Sequence, residues 1–117
     1  MIIVNRSRQT TLAHRATAAR TFSERLRGLM FRPGLAPGEA LVLIGDNSIH
    51  TFFMRFPIDV LYLDREGRVL RLEEAMPPWR VGPVVGGCRA IVELPPGTIR
   101  ATQTAVGDLI SLAESEG

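Results

Sequence analysis

Apolar and polar positions along this chain alternate in short bursts, and that rhythm predicts strands. Residues 1–4, MIIV, read as a short strand, and residues 10–19 form a second candidate. ALVLI at 40–44 is a continuous apolar run of strand length, the pattern of a buried strand. Residues 49–54 and 58–64 read as two strands separated by a bend at Pro57, which has no backbone donor and belongs at the break. DREG at 64–67 is a hairpin turn in which Gly67 is available for positive φ. RVLRLEE at 68–74 then returns with one buried and one wet face. In CRAIVEL at 88–94, Cys88, Ala90, Val92 and Leu94 are expected to face inward, and Arg89 and Glu93 to face water. VGDLISLA at 106–113 supplies a last strand.

One segment breaks the rhythm. In TFSERLRGLMFRPG, Thr21 or Ser23 caps a helix, Glu24 sits in its first turn, and Leu26, Leu29 and Met30 fall on one face. Pro33 and Gly34 end it. Gly28 inside this helix costs about 1 kcal/mol relative to Ala, and a close approach to a neighbouring strand is the expected compensation. TIRATQT near residue 100 predicts a further helical turn. Several short strands punctuated by Gly and Pro, with one or two short helices, indicate a mainly β fold: a small antiparallel β-barrel or sandwich. Between them lies AMPPWRVGPVVGG, residues 75–87, whose three Pro and three Gly exclude regular structure. A loop of this length is either a binding or interface loop or a plain crossover covering one end of the barrel.

The totals place this pattern in a single domain of 117 residues, long enough to bury roughly two-thirds of the unfolded surface. No apolar run approaches the ~20 residues of a membrane span, so no membrane role is expected. The N-terminus, four apolar residues followed by polar and basic ones, reverses the order of a secretory signal. Together with a lone Cys88, which permits no intramolecular disulfide, this points to the cytoplasm. All fourteen basic residues are Arg, which excludes Schiff-base chemistry and any lysine base. The Arg residues are scattered rather than massed, so nucleic acid is not an expected partner.

Chemistry concentrates in SIHTFFMRFPIDVLYLD, residues 48–64. Alternation places His50, Phe52 and Met54 on one face, and beyond the bend it places Asp59 beside Leu61 and Leu63. A carboxylate in that company is expected to be at least partly buried, and hence paired or hydrogen-bonded. Arg55, across the bend, is one candidate partner; the backbone amides of the bend are the other. Three readings follow: Asp59 clamps the bend, His50, Arg55 and Asp59 line a pocket mouth, or Asp59 orients His50 as a base. A metal site built on His50 and Met54 is not expected, because H-x-x-x-M on a strand separates them by ~13 Å. Trp79 and Arg80 in the long loop either cap the core or form an interface or stacking anchor. Inward-facing Cys88 reads as inert packing. The chain has no Gly-rich phosphate loop, C-x-x-C, H-E-x-x-H or G-x-S-x-G, and no cofactor is expected.

Four ordered blocks carry a resemblance: RLRGLMFRPGL, HTFFMRFPIDVLYLD with its Gly turn, VVGGCRAIVELPPGT and VGDLI. Over about residues 20–112 they resemble the bacterial and archaeal family called domain of unknown function 192, or uncharacterised protein family 0127. The better-known form of the family places Asn-Thr between its basic residue and Pro. Here Met54, Arg55 and Phe56 run directly into Pro57, and that polar pair is absent. The resemblance implies a mainly β fold and no particular activity.

The expectation from the residues is a non-enzymatic binding module for a polar small molecule or a protein loop, with His50, Arg55, Asp59, Trp79 and Arg80 near the site. The alternatives are an acid–base enzyme using His50 and Asp59 on a carbohydrate-like substrate, and a structural or assembly partner that uses the loop 75–87.

Overall fold

The computed structural model describes residues 1–114. These residues form eight strands and two short helices: β1 (Ile2–Asn5), β2 (Thr10–Ala13), β3 (Arg15–Ala19), α1 (Phe22–Arg27), β4 (Glu39–Ile44), β5 (Ile58–Leu63), β6 (Val69–Met76), β7 (Ala90–Leu94), α2 (Thr98–Thr102) and β8 (Ile110–Ala113). They make two sheets, a three-stranded one in the order β2-β1-β8 and a five-stranded one in the order β3-β4-β7-β5-β6. The sheets do not close into a barrel, so of the two expected all-β forms the sandwich is the one present. All pairings are antiparallel except β3 with β4. That parallel pair requires a crossover, and residues 20–38 make it, carrying α1 over the sheet.

Two cores result. Between the sheets, Ile3 and Ile110 pack with Leu61, Leu63, Val92 and Leu94. On the outer face of the five-stranded sheet a second core joins Leu41, Leu43, Val60, Tyr62 and Ile91 to Leu29, Ile49 and Met54. Residues alternate between the two cores along β5 and β7, and every residue of both strands is buried. The reading of β7 as a strand with one wet face is therefore corrected. β7 lies between β4 and β5 with both faces covered, and Glu93 is 2% exposed.

Two other expectations change. Residues 10–19 are two strands parted at His14, one in each sheet. Residues 49–54 are not a strand. Phe53 adopts φ +62°, and only His50 makes an isolated bridge, to Val81. The segment is held instead by the long loop: Thr51 N–H donates to Arg80 O at 2.8 Å, Trp79 N–H to Thr51 O at 2.9 Å and Gly82 N–H to Ile49 O at 2.8 Å. The Thr51 hydroxyl adds a bond to Pro77 O at 2.7 Å and accepts from Arg80 N–H at 2.9 Å. Residues 75–87 are thus pinned along the opening segment, and together the two cover the second core. Among the described residues, no helix is long and apolar enough to cross a membrane.

α1 begins at a capping box. Thr21 Oγ1 accepts from Glu24 N–H at 3.1 Å, and the Glu24 carboxylate accepts from Thr21 N–H at 3.0 Å. Gly28 ends the helix at φ +46° rather than lying within it. Its role is that positive-φ turn, which a side chain strains, and only then the nearness of Leu41 and Glu93.

Candidate pocket beneath helix α1

None of the six residues of α1 is buried. The helix roofs a hollow of about 180 Å³ on the second face of the large sheet. Leu29, Leu43, Ile49 and Met54 supply apolar wall, and exposed Phe22 and Leu26 form part of the roof. Its polar groups come from three places: Arg25 and Arg27 from α1, Asp46, Ser48 and His50 from the segment after β4, and Glu93 from β7.

Arg25 fixes the roof. Its Nη1 lies 3.1 Å from Asp46 Oδ1 and donates to Ile44 O at 3.2 Å, while its Nε is buried without a partner. Ser48 is committed to the long loop, its hydroxyl donating to Gly82 O at 3.2 Å. His50 Nδ1 accepts from Phe52 N–H at 3.1 Å, which leaves the neutral ring its proton on Nε2.

Glu93 is the unusual member. Its neighbours across the sheet are Leu41 on β4 and Val60 on β5, and its Oε1 is buried with no hydrogen-bond partner. Burial, with a further push from Asp46, raises its carboxyl to about 8, so it is protonated at neutral pH. An unpaired buried carboxyl costs folding free energy, and such groups gather where function needs them. The alternation of CRAIVEL placed this residue in water. Only the central position of β7, set by long-range pairing, reveals its burial.

The expected site residues separate. Asp59 is fully buried, as expected, but its partners are neither Arg55 nor the bend. Ala75 N–H donates to its Oδ1 at 2.8 Å and Ile99 N–H to its Oδ2 at 2.9 Å. Arg55 is exposed. Asp59 alternates with Ile58 and Val60 and so shares the inner face with Leu61, opposite the face that carries His50. The pair His50–Asp59 is therefore not assembled.

Trp79 and Arg80 are exposed on the long loop. Trp79 joins a strip of rings: its centroid is 4.7 Å from Phe53 and 6.1 Å from Phe52. Phe53 meets Phe31 at 5.3 Å, and Phe52 meets His50 at 5.2 Å. His50 belongs to both the strip and the pocket. Cys88 is buried; desolvation raises its thiol, and Sγ–H faces Ala90 O at 3.3 Å, which agrees with inert packing. Among the described residues, no three His, Cys, Asp or Glu side chains gather to hold a metal.

Comparison with known proteins places this architecture. A protein of unknown function from Novosphingobium aromaticivorans has the same fold, with a TM-score of 0.82 at 22% identity over 95% of this chain and 82% of that one. The UPF0127 protein of Thermococcus sibiricus is 34% identical over 93% of this chain and 73% of its own length. That of Pyrococcus horikoshii is 35% identical over 93% of this chain and 96% of its own. The family profile DUF192, described as an uncharacterized ACR, matches residues 3–112, and the chain belongs to that family.

Proposed function

We propose that this domain is a non-enzymatic binding module for a small molecule with a polar group, and that the ligand sits in the hollow beneath α1. The observation that carries the reading is Glu93: a carboxyl 2% exposed, with an unpartnered oxygen, in a pocket that sets Leu29, Leu43, Ile49 and Met54 beside the polar groups of Arg25, Asp46 and His50. An apolar hollow with a few convergent polar groups is the usual form of a ligand site. Of the residues expected from the sequence, His50 lines this site, Trp79 stands beyond it on the strip of rings, and Arg80 is exposed on the long loop. Leu26→Trp fills the hollow from its half-exposed roof without disturbing either core. In a thermal-shift screen of small polar compounds, hits on the wild type are expected to vanish in this variant while its own melting temperature is kept. Hits that survive the filled pocket would place binding elsewhere.

A second reading, an acid–base enzyme acting on a carbohydrate-like substrate, draws on the same carboxyl. A group held near 8 is poised to give a proton at neutral pH. It passes from the separated His50 and Asp59 to Glu93, and requires that Glu93→Gln remove a turnover that the wild type shows on glycoside substrates.

A further inference from the structure

We propose that the polar group seated against Glu93 is a cation: the pocket takes a small organic ammonium, with the Glu93 carboxylate as counter-ion and aromatic rings beside it. This rests on the hollow being a ligand site and adds the charge of what fills it.

The charge inventory is short. Arg25 is already paired with Asp46 at 3.1 Å and bound to Ile44 O. Arg27 lines the hollow but is exposed, with its charge in water. From β5, Tyr62 shares the face, and burial pushes its phenol up to about 12, so it is neutral. His50 has one nitrogen occupied by Phe52 N–H. Asp46, the remaining charged neighbour, repels a second negative charge. Although the buried Nε of Arg25 lines the same hollow without a partner, ionised Glu93 has no cation of the chain bonded to it. An ammonium supplies one, and an anion would meet two acids.

The walls suit the same guest. Phe22 lines the hollow directly, and the His50 ring that also lines it packs 5.2 Å from that of Phe52, so an aromatic ring of the kind that attracts ammonium groups stands at its edge. A cavity of about 150 Å³ holds one benzene. The 180 Å³ here fits a six-membered ring with a short aminomethyl arm. On binding, the Glu93 O–H gives its proton to the solvent and the carboxylate accepts an N–H from the ammonium. One proton leaves for each cation that enters.

The test uses three probes of one shape: benzylamine, benzyl alcohol and benzoate, titrated calorimetrically from pH 6 to 8. Benzylamine is expected to tighten about tenfold from pH 6 to 7 and several-fold more by pH 8. Close to one proton should be released at pH 6 to 7 and about half a proton at pH 8, read from buffers of different ionisation enthalpy. Benzyl alcohol should show neither effect, and benzoate should be the weakest. Glu93→Gln should cost benzylamine at least tenfold at pH 8 and abolish proton release, with benzyl alcohol unaffected. Benzyl alcohol matching benzylamine at pH 8, or cation binding without proton release, overturns the charge assignment and leaves the pocket standing. Failure of all three probes to bind, or their unchanged binding to Leu26→Trp, overturns the pocket as well.

Discussion

Asp59 on β5 and Ile99 on α2 stand 40 residues apart in the chain and are joined directly, Ile99 N–H donating to Asp59 Oδ2 at 2.9 Å. With Ala75 N–H on the other oxygen, one carboxylate ties the end of β6 and the first turn of α2 to the middle of the sheet. Gly97, which precedes α2, offers no side-chain cap, so Asp59 takes that place from a distant strand.

Removing this carboxylate leaves the buried Ile99 amide without an acceptor and takes from the Ala75 amide, on an exposed residue, its partner as well. Asp59→Ala is expected to destabilise the domain by roughly 3–5 kcal/mol. Arg55→Ala, at an exposed position, should stay within about 0.5 kcal/mol. Urea denaturation of both variants checks the contrast; equal losses would restore an Arg55–Asp59 partnership.

Glu93 gives stability an unusual dependence on pH. Its folded-state carboxyl titrates near 8 against an ordinary value of 4.5, so the folded state holds the proton more tightly. Stability is fully present below about pH 4.5 and declines as pH rises towards 8, by on the order of 1.4 kcal/mol per unit. Glu93→Gln removes that slope. Chemical denaturation at pH 5, 7 and 9 should show the variant gaining on the wild type as pH rises, and a wild type with no loss across that range would contradict the unpaired carboxyl.

Gly67 closes the β5–β6 turn at φ +92°, and a Cβ there would collide with the carbonyl oxygen of Ile110. The same turn receives Ile110 N–H on Gly67 O at 2.8 Å, so it is also a seam between the two sheets. Gly67→Ala therefore combines backbone strain with a clash, and a loss of about 3 kcal/mol or more is expected. Calorimetric melting measures it; a shift of only a degree or two would mean that the seam yields freely.

Much of this architecture is legible in residue order because its causes are local. ALVLI, the run after Pro57, the DREG turn and the return strand lie within about two residues of where alternation and turn chemistry put them. The capping box at Thr21 is equally local. The opening of HTFFMR, by contrast, has the alternation of a strand but is bent at Phe53 and tied to the long loop, and those bonds come from residues 77–82. The burial of Asp59 could be read from Leu61 and Leu63. Its partners could not, because Ile99 reaches it only through the fold. Glu93 went unseen for the same reason: alternation tells two faces apart, but it takes the order of the sheet to show that both are covered.

The parallel pairing of β3 with β4 has one more effect. Two strands running the same way oblige the chain between them to travel back across the sheet, so a roof over this surface is a requirement of connectivity rather than an ornament. Substitutions along residues 20–38 can then reshape what the chamber admits while the chamber itself persists. On the proposed binding role, ligand preference can drift through these residues without any change of scaffold.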